Sequence, residues 1–214
     1  MYNRIQLKMQ AKQSLTGKWG IAIGTIVIAS LILGVSAYIP VASIVLSGIF
    51  SVGLAIVMLE IVRNWEVQFT DMFKGFNNFG TNCIAGVLVS VFTILWSLLF
   101  VIPGIIKAYS YSMTFYILAD HPEMSAKDAI RTSQVMMEGH KMDLFILELS
   151  FFGWYLLCGI TFGLAALYVG PYVSASHAMF YETIKNEKVA TAAPEAPASE
   201  STVAEEAPVD ETAE

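Results

Sequence analysis

The sequence predicts an all-α protein, a helical bundle that spans a membrane several times, and three observations carry that expectation. Between Trp19 and Leu59 the chain runs 41 residues without an Asp, Glu, Lys or Arg, with Pro40 at the middle of the run. Two further charge-free runs extend from Gly75 to Ile106 and from Leu149 to Tyr181. The composition is 56% hydrophobic and only 14% charged, with a mean hydropathy of +0.61, outside the habit of soluble globular domains. About 20 apolar residues cross the hydrocarbon core of a bilayer as a helix, so each run is long enough for two helices and the turn between them. The lipid bilayer is therefore the first expected partner. Nothing in the composition points to nucleic acid.

Taken in order, the elements are a basic N-terminal segment over 1–18, a transmembrane helical domain over 19–188 and an acidic tail over 189–214. The spans fall near 19–39, 41–62, 82–102, 105–119, 143–158 and 160–181, making three hairpins. Pro40, Pro103-Gly104 and Gly159 are the expected turn chemistry, since Pro and Gly break helices. The first apolar stretch is too long for the core of a cleavable signal peptide and leads directly into a second span, so it is expected to stay. Residues 1–181 carry ten Lys/Arg against nine Asp/Glu, whereas 182–214 carry two against nine. The net charge of −6 thus belongs to the tail. From Thr191 on, the tail is Ala, Pro, Glu, Ser, Thr and Val without an aromatic residue, a composition that cannot bury enough apolar surface to order itself.

Orientation follows from the basic residues, which are enriched in cytoplasmic loops near helix ends. Arg4, Lys8, Lys12 and Lys18 precede the first span; Arg63 and Lys74 lie between the second and third; Lys127, Arg131 and Lys141 lie between the fourth and fifth; Lys185 and Lys188 follow the sixth. Only Lys107 falls on the other side. Both termini are expected in the cytoplasm, with three short turns outside. Arg4, Lys8 and Lys12 recur every four residues and, with Lys18, form a basic stripe suited to anionic headgroups or to fixing topology alone.

Each hairpin is preceded by a segment of mixed character that ends near a glycine: Gly17, Gly75 and Gly139. The third segment is the clearest amphipathic helix. Ala126, Ala129, Ile130, Ser133, Met136 and Met137 share one face, with Lys127, Asp128, Arg131, Gln134 and Glu138 opposite, and Asp120, Pro122 and Ser125 give start signals. Its pattern fits a helix lying in the membrane interface. A threefold pseudo-repeat of interfacial helix plus hairpin is the expected organisation.

Ionisable groups within a bilayer cost on the order of 2.5–3.5 kcal/mol at a helix centre, so each invites a functional reading. Glu60 near the end of the second span, Lys107 at the outer end of the fourth and Glu148 within the fifth are the candidates, with His177 in the sixth. Tyr109, Ser112, Thr114 and Tyr116 add hydroxyls along the fourth span. Together Glu148, Lys107, Tyr109, Ser112, Glu60 and His177 make a candidate intramembrane polar site. The bland alternatives are snorkelling of the charged groups to the nearest interface and packing of the hydroxyls against neighbouring helices.

Cys83 and Cys158 lie in separate apolar segments, and no disulfide is expected between them. No HExxH, no GxxxxGK[ST], no GxSxG and no Cys/His cluster of zinc spacing occurs. No catalytic residue, metal site or cofactor is therefore assigned, and the chain is not read as an enzyme.

Leu95-Trp-Ser-Leu-Leu-Phe-Val-Ile-Pro-Gly-Ile-Ile-Lys-Ala-Tyr-Ser-Tyr-Ser-Met-Thr-Phe-Tyr116, followed by Ala119-Asp-His-Pro122, resembles the signature of the bacterial integral membrane family catalogued as domain of unknown function 975. Ala129-Ile-Arg-Thr-Ser-Gln-Val-Met-Met-Glu-Gly-His-Lys-Met-Asp-Leu-Phe145, Phe152-Gly-Trp154 and Leu15-Thr-Gly-Lys-Trp19 continue the likeness up to about Glu182. The resemblance implies a polytopic membrane protein, mostly of Gram-positive bacteria, without assigned catalytic residues. The expected role is a non-enzymatic membrane scaffold or accessory subunit, as a homo-oligomer or with a membrane-protein partner. A small-solute or ion transporter or channel using Glu148, Lys107 and Tyr109 is the alternative.

Overall fold

The structure is a computed structural model that describes residues 4–36, 38, 40–99, 101–161 and 163–192. Among these, every regular element is helical: α1 (Arg4–Ser14), α2 (Trp19–Ser36), α3 (Pro40–Val62), a 3-10 helix (Phe69–Phe76), α4 (Phe79–Leu99), α5 (Val101–Tyr111), α6 (Thr114–Asp120), α7 (Ala126–Met136), α8 (Lys141–Leu149), α9 (Phe152–Ile160) and α10 (Ala166–Ala192). The all-α expectation holds. The tail from residue 193 onward lies outside the described residues, although α10 takes in 189–192, which had been assigned to the tail.

Local chemistry explains the boundaries. α3 opens on Pro40, whose fixed φ suits the first helical position. α7 is capped by Ser125, whose Oγ accepts from the Asp128 amide at 3.3 Å. Its buried face is Ala126, Ala129, Ile130 and Ser133, as the pattern predicts. Pro103 is not the break between the third and fourth expected spans. It sits in the first turn of α5, where its missing N–H costs nothing, and α4 already ends at Leu99. Gly159 is likewise not the third turn. α9 continues past it to Ile160, and the chain reverses at Gly163, whose φ of +88° is the left-handed conformation glycine favours. The fourth expected span is two helices, α5 and α6, parted at Ser112 and Met113.

Two of the three proposed repeat boundaries share their geometry. Gly17 and Gly139 have φ of +83° and +84°, and each is followed two residues later by the start of a helix, α2 at Trp19 and α8 at Lys141. The residues two, six and ten positions before each glycine are all buried: Leu15, Ala11 and Leu7 in one case, Met137, Ser133 and Ala129 in the other. The middle boundary departs from this. Gly75 does not adopt positive φ, and it ends a 3-10 helix in which Asp71 and Met72 are buried while Phe73 is exposed. Gly75 serves close approach instead. A Cβ there would strike the Ile49 carbonyl, and one on Gly53 of α3 would overlap the Met72 carbonyl. Small residues let the 3-10 helix lie directly on the α3 backbone.

Six full-length spans are not resolved. Among the described residues, two stretches are long and apolar enough to cross a membrane, Phe79–Leu98 and Lys141–Ile160, the latter formed by α8 and α9 in sequence. A third exists if Ile5–Ser14 and Trp19–Val35 count as one, but these are bent by 94°. That angle sets α1 across α2 instead of continuing it. Leu46–Val62 is a shorter apolar helix.

Burial is uneven along the hairpins. Near residue 38, near the junction of α4 with α5 and near residue 163, apolar side chains stand in the open: Leu31, Val35, Leu98 (84% exposed), Ile102, Ile160 and Leu164. Near the opposite ends, Met58, Leu59, Ile61, Ile117, Leu118, Phe180, Tyr181 and Ile184 are fully buried. The α1 and α7 faces join that same core through Leu7, Ala11, Ala126 and Ala129, with Leu15 just past the end of α1.

Candidate functional site

The six residues of the expected polar site divide. Three converge: Tyr109 of α5, Glu148 of α8 and His177 of α10. The Tyr109 hydroxyl donates to Glu148 Oε2, and His177 Nε2 lies 3.4 Å from Glu148 Oε1. That approach is not aligned as a hydrogen bond, and Nε2 is buried without one. Helical spacing explains the convergence, because α5 and α8 pack with the Tyr109 ring edge-on to Phe145, centroids 6.0 Å apart. The recess beside Tyr109, about 210 Å³ in volume, is lined mainly by Ile105, Ile106, Met142 and Phe145, with Lys141 at its edge. It is an apolar recess.

The other three lie elsewhere. The Lys107 ammonium stands 5.3 Å from the Trp96 ring centroid, a cation–π contact. Ser112 donates to the Tyr109 carbonyl at 2.8 Å, the local bonding usual for serine in apolar helices. Glu60 pairs with Lys74 at 3.0 Å, and it shares none of the partners of Glu148.

A second constellation was not anticipated as a site. Arg63, one residue beyond α3, meets Asp120, the last residue of α6, and Glu182 in α10. Arg63 Nη1 is 2.7 Å from Asp120 Oδ1, Nη2 donates to Asp120 Oδ2 at 2.8 Å, and Nε donates to Glu182 Oε1 at 2.8 Å. Tyr181 and Lys185 complete the ring, donating to Asp120 Oδ2 at 2.9 and 2.6 Å. The planar guanidinium suits two carboxylates at once, which a lysine cannot match. Burial works to raise the Asp120 pKa, but hydrogen bonds from Arg63 and Lys185, with the Arg63 charge and the Tyr181 hydroxyl, outweigh it and hold the carboxyl at about 2. The bond to Asp120 raises the Arg63 pKa further, against the effect of burial. The sequence signal was present in a weak form: charged residues directly bracketing three apolar helix ends.

The N-terminal stripe is partly occupied within the chain. Lys8 Nζ sits 3.7 Å above the Phe151 ring and donates to the Ser150 carbonyl at 3.0 Å, at the joint between α8 and α9. Burial lowers its pKa. Lys18 donates to the Trp65 carbonyl at 2.8 Å. Lys12 is exposed, and the Arg4 side chain lies outside the described residues. Among the described residues no group of three or more His, Cys, Asp or Glu is arranged to hold a metal, and Cys83 and Cys158 are free thiols.

The family model described as "Protein of unknown function (DUF975)" matches the chain in two stretches, 1–107 and 98–188. The chain belongs to this family. The matched region of this DUF975 chain takes in the Arg63 ring, the Tyr109–Glu148–His177 group and both positive-φ glycine turns, and it stops before the acidic tail. No curated protein and no solved structure matches the chain.

Proposed function

We propose that this DUF975 chain is a multi-pass protein of the bacterial plasma membrane, with about six spans in three hairpins and both termini cytoplasmic. In this reading it acts as a non-enzymatic scaffold or accessory subunit of a membrane assembly. The observation that carries the proposal is the polarity of the molecule. The turn ends of all three hairpins expose Leu, Ile and Val, whereas the opposite ends of the first and third hairpins, α3 and α10, are fastened to the end of α6 by Arg63, Asp120, Glu182 and Lys185. Exposed Leu, Ile and Val of that kind suit a membrane or partner-binding face, and the basic residues gather at the fastened ends as cytoplasmic sequence does. A ring of ion pairs that ties three elements together favours a rigid body over one whose halves rock past each other.

A specific observation favours a second reading. Tyr109, Glu148 and His177 meet from three helices, the composition of a proton-coupled site. Purification of the tagged protein from its native membrane in mild detergent separates the two. The scaffold reading expects a stoichiometric membrane-protein partner and no solute or proton flux in proteoliposomes. A lone chain that supports flux, with the flux lost in Glu148→Gln, would overturn it.

A further inference from the structure

α8 packs chiefly against α5 and meets α10 through side chains. The residues that bridge the two lie on one face of each helix. His140, Leu144 and Glu148 follow at four-residue steps from the N-cap of α8, and His177, Phe180, Ile184 and Glu187 follow at steps of three and four along α10. The two helices run antiparallel, so each histidine meets a carboxylate of the other element. His177 Nε2 is 3.4 Å from Glu148 Oε1, and His140 Nε2 is 3.9 Å from Glu187 Oε2. Between these pairs Leu144 and Leu147 of α8 and Phe180 and Ile184 of α10 are buried in the same core. Just beyond α8, Phe151 lies edge-on to Tyr172, centroids 5.2 Å apart. The α8–α10 contact is thus apolar in the middle, with a histidine–carboxylate pair at each end. Both separations are within ion-pair reach but exceed the roughly 2.7–3.2 Å of a made hydrogen bond.

We propose that the two pairs form a pH-sensitive clasp between α8 and α10, closed when both histidines take up a proton and loosened when they release it. A neutral imidazole opposite a carboxylate adds little, whereas an imidazolium makes a charge-assisted bond, and histidine is the side chain whose charge ordinarily changes between pH 5 and 8. An imidazole facing a carboxylate in the closed state holds its proton more tightly than in the open state. Closure is therefore favoured below the histidine range and lost as pH rises through it. The proton arrives through the carboxylates, since the Glu148 side chain is 34% exposed and that of Glu187 49%; the carboxyl O–H bond breaks as the imidazole N–H forms. Glu148 is the charged group that acts on His177, its other oxygen accepts from Tyr109 of α5, and Tyr155 of α9 lies in its field. Around His140, Asp143 stands 3.8 Å from Nδ1. Charges on the other elements packed against α10 are engaged or turned away. Lys8 of α1 holds the Ser150 carbonyl, Glu60 of α3 holds Lys74, Glu182 and Lys185 belong to the Arg63 ring, and Lys12 of α1 with Lys127, Asp128 and Arg131 of α7 are exposed. The clasp takes up the Tyr109–Glu148–His177 group of the second reading, but it needs no flux and suits a scaffold equally.

The test is hydrogen exchange of the full chain in nanodiscs, read by mass spectrometry at about pH 8 and about pH 5.5, either side of the histidine range. Rates are corrected for the chemical pH dependence of exchange, and α8 protection is divided by that of α4, which holds no acidic, basic or histidine side chain. The clasp predicts a ratio at least about fivefold higher at the acid pH, the lower end of ordinary coupling between sites. His177→Gln is expected to remove part of that rise, and His177→Gln with His140→Gln all of it. Should the double variant misfold, Glu187→Gln, at a half-exposed position, is expected to cut the rise on its own. An equal ratio at the two pH values, a lower one at acid pH, or a rise that survives these substitutions would overturn the proposal. Exchange reports closure and not transport, so a chain without flux can still show the clasp, and a chain with flux can fail to show it.

Discussion

Arg63 and Asp120 face one another in a two-pronged pair, Nη1 to Oδ1 at 2.7 Å and Nη2 to Oδ2 at 2.8 Å, although 57 residues separate them. The pair joins the end of α3 to the end of α6, and Glu182 and Lys185 extend it to α10. Asp120 has a side chain only 7% exposed. Removing one member of a buried pair costs up to roughly 3–5 kcal/mol, and Lys185, which still pairs with Asp120 at 2.6 Å, keeps the loss on removing Arg63 below that ceiling. Arg63→Ala is expected to lower the unfolding midpoint in detergent markedly, and Arg63→Lys to recover only part of the loss because it cannot bridge both carboxylates. A midpoint unchanged in Arg63→Ala would show that the ring contributes little.

The same ring sets an acid limit. Asp120 titrates at about 2 in the folded chain against an ordinary 3.8. Its contribution is therefore complete above pH ~4 and is lost as pH falls through 2, because the unfolded chain takes up the proton first. The amount is about 2 kcal/mol. Measured by denaturation between pH 2 and 5, Asp120→Asn should show a shallower decline than the parent protein; parallel declines would exclude Asp120 as the group responsible.

The α3 contact with the 3-10 helix depends on absent side chains. Gly53→Ala would place a methyl into the Met72 carbonyl, and overpacking of this kind costs about 1–3 kcal/mol. Thermal unfolding of Gly53→Ala should be clearly lowered, while Gly80→Ala, which meets nothing within 4 Å, serves as the tolerated control.

Gly17 and Gly139 offer a cleaner comparison. Neither has an atom within 4 Å of an added Cβ, so Ala at either site pays only for the left-handed backbone, roughly 1–2 kcal/mol. The two variants should lose similar stability by chemical denaturation. A large difference between them would break the structural equivalence of the two turns.

What was legible in the sequence was what a period or a break can encode. The amphipathic face of α7, the Ser125 cap, a helix boundary beside Pro40 and the all-helical class follow from spacing and composition. Turn placement was less legible, because Pro103 and Gly159 are residues that helices tolerate in the right place: Pro103 in a first turn, Gly159 near a helix end. The charged ring was nearly invisible, since pairing Arg63 with Asp120 requires knowing which helix ends are neighbours. For the polar site, the sequence supplied the members but not their grouping. Tyr109, Glu148 and His177 meet, whereas Glu60 turns to Lys74, Lys107 to Trp96 and Ser112 to its own backbone.

Topology tests the central claim most directly. Reporter domains fused after Tyr38, Val101 and Gly163 should be active only outside the cytoplasm, and fusions after Asn64, Glu123 and Lys185 only inside. That pattern is what six spans in three hairpins, fastened at their cytoplasmic ends, require. A cytoplasmic signal at any of the first three sites would contradict it.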